Sequence, residues 1–143
     1  MSITITTWNV NSLKVRQPQV LDFLKETENS ILCLQELKMQ EADIDASAFK
    51  EIGYTLDAFG QKTYNGVALL ARETPTDVAY GNPHFSDPQK RLIAATVNGI
   101  RVVCAYVPNG QAVGSDKYDY KLRWLDAVHG WLADELKAHP KLV

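Results

Sequence analysis

The stretch "ILCLQELK" (Ile31–Lys38) decides the fold, because a buried strand ends within it and polar residues follow at once. Apolar residues fill positions 31–34, and a short apolar run bounded by polar residues is typical of a strand in the middle of a sheet. Gln35 and Glu36 then stand at the carboxyl end of that strand. A carboxylate in such a place costs free energy unless a cation or a hydrogen-bond donor meets it. The stretch therefore predicts a central strand with a site at its end.

Strand and helix patterns on both sides predict a single α/β domain over residues 1–143. We predict strands at 2–10, 31–36, 54–59, 66–72, 92–98 and 101–107, helices at about 16–28 and 118–138, and a short helix or loop at 41–52. A βα unit followed by hairpins implies a mixed β-sheet, with helices on one face. Asn98-Gly99 predicts a tight hairpin turn, because both residues tolerate positive φ.

Both long helices carry apolar stripes that we assign to the core. The first has Pro18 in its predicted first turn, where the missing N–H does no harm. The last has a broad stripe at helical spacing, which we expect to be buried. Its members are Leu122, Trp124, Leu125, Val128, Trp131, Leu132 and Leu136.

Composition excludes several classes of protein. Apolar residues make up 45% of the chain and charged residues 22%, as in an ordinary globular domain. We find no apolar run long enough for a membrane span and no secretion signal, so a cytoplasmic protein without a membrane partner is expected. Cys33 and Cys104 lie in apolar strands and predict free core thiols. The net charge of -2 does not by itself indicate a nucleic-acid partner.

Three predicted strands end in polar residues of complementary chemistry. Asn9 and Asn11 follow the first strand, Glu36 the second, and Tyr106 and Asn109 the last. Each alone fits an ordinary turn or strand end, but ligands of α/β sheets bind beyond the carboxyl ends of the strands. A carboxylate suits a hard cation, whereas amides and a phenol suit phosphate oxygens. Together the strand ends predict a binding site.

Five short motifs, in order, resemble the exonuclease III family of bacterial AP endonucleases. They are TTWNVNSLKVR, ILCLQELK, YNGVALL, QKRLIAATV and AYVPNGQAVGSDKYDYKLRWLDAV, and they span about residues 4–131. The wider endonuclease/exonuclease/phosphatase superfamily shares the WNVN, QELK and YVPNG cores only loosely. The resemblance implies a DNase I-like four-layer α/β sandwich and a phosphodiesterase that uses Mg²⁺ or Mn²⁺. It also implies base-excision repair of double-stranded DNA, at abasic sites and at 3′ ends.

The resemblance further implies roles for single residues. Glu36 is implied as the metal ligand, with Asn9 supporting the metal and the catalytic centre, and Tyr106 as the tyrosine at the scissile phosphate. Contacts with DNA or phosphate are implied for Asn11, Lys38, Tyr64, Asn65, Arg91 and Asn109. Ser12, Lys14 and Leu37 differ mildly from the residues usual in the family.

The Gly-Asp-x-Asn and Ser-Asp-His motifs with which the family continues do not occur in this chain. We therefore expect residues 1–143 to be the N-terminal half of the domain, with the C-terminal half absent. Its partners would be DNA, that missing half, or a second copy covering an apolar sheet face left open. We expect such a half to bind metal weakly and cleave abasic DNA negligibly, with Glu36 paired to Lys38 or another cation.

Two other functions remain open on the sequence. One is a superfamily phosphatase or phosphodiesterase acting on an inositol phosphate or phospholipid, against which the GSDKYDYK loop argues. The other is a non-catalytic module that binds DNA or protein. The negative net charge and the absence of the two motifs are compatible with this function.

Overall fold

A computed structural model describes residues 2–143 as a sandwich of two β-sheets between two layers of helix. The elements are β1 (Ile5–Asn9), α1 (Leu13–Glu26), β2 (Ile31–Gln35), α2 (Ala46–Glu51), β3 (Thr55–Phe59), β4 (Val67–Ala71), β5 (Thr76–Tyr80), β6 (Leu92–Val97), β7 (Ile100–Ala105) and α3 (Asp116–Ala138). A 3₁₀ turn at Glu41–Asp43 precedes α2.

The first sheet has the strand order β1-β2-β4-β3. β1 and β2 run parallel and are joined through α1, whereas β4 runs antiparallel to both β2 and β3. All five residues of β2 are buried, which explains why its sequence is a continuous apolar run rather than an alternating one. The prediction of a mixed sheet is confirmed.

The second sheet is an antiparallel meander of β5, β6 and β7. Asn98 and Gly99 join β6 to β7 with φ angles of 52° and 77°, so the predicted hairpin turn is confirmed. β5 was not predicted, because its sequence TDVAY is largely exposed at the sheet edge and has little apolar character.

The two sheets pack face to face and share one apolar core. Ile31, Cys33 and Leu69 of the first sheet meet Ile93 and Cys104 of the second. α1 and α2 cover the outer face of the first sheet, and α3 covers that of the second. Each sheet therefore carries helices on one face, as expected, and packs its other face against the other sheet. The expectation of an apolar sheet face left open is wrong, because the chain supplies its own second sheet.

The open sides of the sandwich are strand edges instead. β1 is the last strand of its sheet, and β7 pairs on its outer side with residues 141–143, through Arg101 and Val103. A groove of about 390 Å³ runs between the two edges, with Thr7 and Gln35 among its lining residues. Cys33 and Cys104 are buried and free, as predicted.

The helix boundaries and burial differ from prediction in two respects. α1 is capped by Ser12, so Pro18 lies inside the helix rather than in its first turn. In α3, Trp124 and its neighbours Val128 and Trp131 are buried. Three of the four leucines of the predicted stripe are exposed instead: Leu122, Leu125 and Leu136 are 48%, 40% and 54% exposed. Among the described residues, no helix has the length and apolar character to span a membrane.

Candidate active site

Glu36 leaves β2 in a left-handed conformation, with φ of 58°. An extended residue here would continue the strand alternation and face α1, on the same side as Leu34. Instead Leu37 fills that position in the core beneath α1, and the carboxylate of Glu36 reaches toward the second sheet. A non-glycine residue held at positive φ costs about 1–3 kcal/mol, and such strain clusters at functional sites. The strained residue is the predicted metal ligand.

Two neighbouring loops hold this turn in place. The N–H of Ser12 donates to the carbonyl of Glu36 at 2.8 Å, and the N–H of Leu37 donates to the carbonyl of Gly66 at 3.2 Å. Gly66 has φ of 98°, and a Cβ there would lie 2.9 Å from the Cβ of Leu37. Glycine in the YNG motif therefore allows the β3–β4 loop to approach the end of β2 closely.

Tyr106 connects the second sheet to Glu36. Its phenol donates a hydrogen bond to Oε1 of Glu36. Tyr106 continues the inward-facing series of Val102 and Cys104 on β7, which is why its ring points between the sheets. Burial, and then the hydrogen bond and charge of Glu36, raise the pKa of the Tyr106 phenol. The phenol is therefore a protonated donor at neutral pH.

Arg91 packs against Tyr106 from the other side. Nη1 of Arg91 donates to the carbonyl of Tyr106 at 3.2 Å, and its guanidinium lies 4.8 Å from the centre of that ring. Nε of Arg91 donates to Gln89 at 2.9 Å. These contacts tie Arg91 to the protein and fix the end of β7; its predicted contact with DNA stays a prediction.

Asn9, Asn11 and Lys38 form a chain of hydrogen bonds at the ends of β1 and β2. The N–H of Asn11 donates to Oδ1 of Asn9 at 3.1 Å, and Nζ of Lys38 donates to Oδ1 of Asn11 at 2.6 Å. The expected ion pair between Glu36 and Lys38 is wrong. Within residues 2–143 Lys38 binds an amide, and Glu36 binds the Tyr106 phenol.

A cleft of about 490 Å³ lies beside Tyr106. It brings together the predicted residues Tyr64, Asn65, Arg91, Tyr106 and Asn109. Tyr64 is 68% exposed, so its ring is open to a ligand. The amide of Asn109 instead shapes its own loop, because its Oδ1 accepts the N–H of Gln111 at 2.9 Å. Five residues from distant motifs thus line one surface.

Gln61 and Tyr120 are among the cleft residues that were not predicted. Oε1 of Gln61 accepts hydrogen bonds from Nδ2 of Asn65 at 3.2 Å and from the N–H of Lys90 at 2.8 Å, so it joins two site loops. The ring of Tyr120 lies 5.8 Å from the guanidinium of Arg91. Nothing in the sequence distinguishes Gln61 from an ordinary loop residue, whereas Tyr120 lies in the quoted GSDKYDYK motif.

Comparison with known proteins places this site in a family. The profile of the Endonuclease/Exonuclease/phosphatase family matches residues 6–143. The chain belongs to this family. The exonuclease III resemblance seen in the sequence is confirmed as well, since similar proteins include exodeoxyribonucleases and AP endonucleases.

Three relatives show the extent of the likeness. An exodeoxyribonuclease of Bacillus subtilis is 30% identical over 133 residues, which cover 91% of this chain and 52% of that protein. NExo, a 3′ phosphatase from Neisseria solved with a product DNA hairpin, has a TM-score of 0.96 and 47% identity over 99% of this chain and 55% of its own. An AP endonuclease from Archaeoglobus fulgidus has a TM-score of 0.85 and 40% identity over 92% of this chain and 51% of its own. The chain spans about half the length of these relatives.

The described residues of the candidate site supply only some of the ligands that a divalent metal ion needs. Among residues 2–143, no group of three or more His, Cys, Asp or Glu side chains could hold an ion. Mg²⁺, however, takes one or two carboxylates and keeps several waters. Glu36 fits as one such ligand. Asn9 pairs with Gln35 in the parallel ladder, so its amide lies on the same side of the sheet as Gln35, toward the second sheet.

A second groove on the protein, with a volume of about 590 Å³, lies next to Lys38. Lys14, Lys38 and Lys62 line it together with Asp43 and Asp45. Three ammonium groups, one from the first turn of α1 and two from loops, therefore line the same groove. Two carboxylates in the same groove balance part of their charge.

Proposed function

We propose that the chain forms part of the active site of a Mg²⁺-dependent DNA phosphodiesterase, which acts on double-stranded DNA at abasic sites and 3′ ends. The observation that carries this proposal is the strained Glu36 carboxylate, which is hydrogen-bonded to Tyr106 beside a polar cleft. Family membership and the names of the relatives support it. The free thiols suit a cytoplasmic repair enzyme.

The chemistry of phosphodiester hydrolysis explains why these groups would be needed. Negative charge develops on the phosphate oxygens and the leaving oxygen in the transition state. A bound Mg²⁺ would supply Lewis-acid stabilisation of that charge. The Tyr106 phenol is protonated but has a single hydrogen, so it would turn from the Glu36 carboxylate to a phosphate oxygen when substrate binds, and the Glu36 carboxylate would hold the cation. Lys38 would add a positive charge at the edge of the site.

The surroundings suit a substrate recognised by its backbone. Amide and ammonium groups that contact phosphates position a duplex without reading its bases. An abasic nucleotide has no base to unstack, so it costs little to turn out of the helix. The exposed ring of Tyr64 at the cleft would contact the duplex next to such a nucleotide.

We further propose that the remaining groups of the site come from a second half of the same domain, so that residues 1–143 alone cleave negligibly. The relatives are about twice as long as this chain, which supports that division. Activation of the attacking water and further metal ligands would then come from the second half.

A chimera tests the proposal directly. The part of NExo that aligns with this chain is replaced by residues 1–143, and the chimera is assayed on duplexes with an abasic site or a 3′ phosphate. We expect cleavage in Mg²⁺, none in chelator, and a loss of activity in Glu36→Gln. Glu51→Gln is the control, because Glu51 is exposed at the end of α2 and is not among the residues that line the cleft. A folded but inactive chimera, or an active Glu36→Gln chimera, contradicts the proposal.

A further inference from the structure

Gln35 links the two sheets directly beneath the contact between Tyr106 and Glu36. Its Nε2 donates to Oγ1 of Thr7 on β1 at 2.9 Å and to Sγ of Cys104 on β7 at 3.3 Å. The same Nε2 lies 3.4 Å from the carbonyl oxygen of Cys33. Strands β1, β2 and β7 therefore meet at a single side-chain amide.

Cys104 on β7 donates a hydrogen bond back to β2. Its Sγ donates to the carbonyl of Leu34 on β2 at 3.3 Å, so β2 and β7 exchange two hydrogen bonds across the core. Gln35 is 8% exposed and Cys104 is 2% exposed. A buried donor left without an acceptor is costly, which means that neither partner moves freely away from the other.

Most of the rest of the contact between the sheets is apolar. It is made by residues such as Ile31, Leu69, Ile93 and Val102. Apolar contacts depend on buried area and have no preferred direction, whereas a hydrogen bond constrains both distance and angle. The polar link at Gln35 is thus suited to fix the position of one sheet on the other.

Glu36 and Tyr106 lie close in sequence to the two residues that link the sheets. Glu36 is the next residue after Gln35, and Tyr106 stands two residues after Cys104. On β7 the side chains of Cys104 and Tyr106 face the same side, because alternate residues of a strand share a face. A shift of β7 relative to β2 would therefore move the phenol and the carboxylate apart.

We propose that Gln35 and Cys104 are positioning residues, which set the Tyr106 phenol against the Glu36 carboxylate without touching metal or DNA. The importance of that pair for catalysis rests on the proposed function. The positioning itself is measurable in the free chain. If Gln35 and Cys104 only stabilised the core, any equally destabilising core substitution would affect the site in the same way.

The test follows the Tyr106 ring by NMR in residues 1–143 carrying ¹³C-labelled tyrosine, without metal or DNA. Tyr106→Phe assigns the Cζ resonance, and Glu36→Ala gives its position when the acceptor is lost. Gln35→Met and Cys104→Val keep side chains of similar size and remove the hydrogen bonds. We expect each to move the resonance at least half way toward its position in Glu36→Ala.

Two further variants separate positioning from core stability. Cys104→Ser keeps a donor and acceptor at this position, and we expect it to leave the resonance closer to wild type than Cys104→Val does. Val97→Ala thins the same core at its far end, where Val97 pairs with Ile100, and we expect no movement. Equal movement in Val97→Ala, or none in folded Gln35→Met and Cys104→Val, overturns the proposal.

Thr7→Val provides a milder test should the core variants fail to fold. Thr7 is exposed on β1, and the substitution removes one acceptor of the Gln35 amide. We expect a smaller movement in the same direction, and an unchanged resonance here also overturns the proposal. An inactive NExo chimera combined with the expected movements would refute the proposed function and leave the positioning role intact.

Discussion

The phenol of Tyr106 donates a hydrogen bond to the carboxylate of Glu36, which lies 70 residues earlier in the chain and directly follows a strand of the other sheet. The candidate site therefore depends on how the two sheets are packed, as well as on the loops that surround it. Changes at either end of this hydrogen bond should separate effects on chemistry from effects on folding.

Removing the phenol should reduce catalysis while the fold is kept. In the NExo chimera we expect Tyr106→Phe to lower the rate of cleavage by about 10²-fold, the effect of losing one well-placed donor to a transition-state oxyanion. Tyr80→Phe is the matched control, since Tyr80 is 54% exposed on β5. Rates on the duplex with a 3′ phosphate measure the effect, and a rate unchanged by Tyr106→Phe would remove Tyr106 from the mechanism.

The backbone strain at Glu36 predicts a difference in stability between two variants that both lack the carboxylate. Glycine adopts positive φ without strain, so Glu36→Gly should be more stable than Glu36→Ala by about 1 kcal/mol. Both lose the carboxylate and its hydrogen bond with Tyr106, so the comparison isolates the backbone. Urea denaturation of the two variants measures the difference in free energy of unfolding. An alanine variant as stable as the glycine one would show that the turn relaxes.

The strand pattern of the sequence was enough to predict β2 and the mixed sheet. The apolar run at residues 31–34 is typical of a strand in a sheet interior, and Asn98-Gly99 is typical of a tight turn. The pattern did not reveal which sheet each strand joins. β6 is buried on both faces, so its residues look the same whichever sheet contains them.

The sequence predicted which residues form the candidate site better than it predicted how they are arranged. The residue types at the strand ends and the motif resemblance pointed to Glu36 and Tyr106. The left-handed turn at Glu36 could not be predicted from the sequence, because glutamate is not a residue type that indicates positive φ. For the same reason Glu36 was expected beside Lys38, whereas the turn directs its carboxylate to the other sheet.

The close approach of Gly66 to Leu37 predicts a strong effect of a single methyl group. Gly66→Ala places a Cβ 2.9 Å from the Cβ of Leu37 at a φ of 98°. We expect a loss of at least about 2 kcal/mol in the free energy of unfolding, from steric overlap added to backbone strain. Thermal or urea denaturation provides the measurement.

Gly53 supplies the matched control for this substitution. Its φ is 90°, and no atom lies within 4 Å of a Cβ built there, so Gly53→Ala carries the backbone strain alone. We expect it to cost about 1 kcal/mol. Equal losses in the two variants would mean that the β3–β4 loop moves away from Leu37 and that the close approach is not required.

The hydrogen bond between Tyr120 and Asp87 predicts how stability depends on alkaline pH. Burial, followed by the hydrogen bond and charge of Asp87, raises the pKa of the Tyr120 phenol above its ordinary value of 10.0. The folded state then holds the proton more tightly than the unfolded state. The stability that Tyr120 contributes is present below pH 10.0 and is lost as the pH rises toward the folded-state pKa. Wild type should therefore lose stability above pH 10.0 more steeply than Tyr120→Phe. Urea denaturation of both chains between neutral and strongly alkaline pH measures this difference, and parallel stability curves would show that the phenol has no raised pKa.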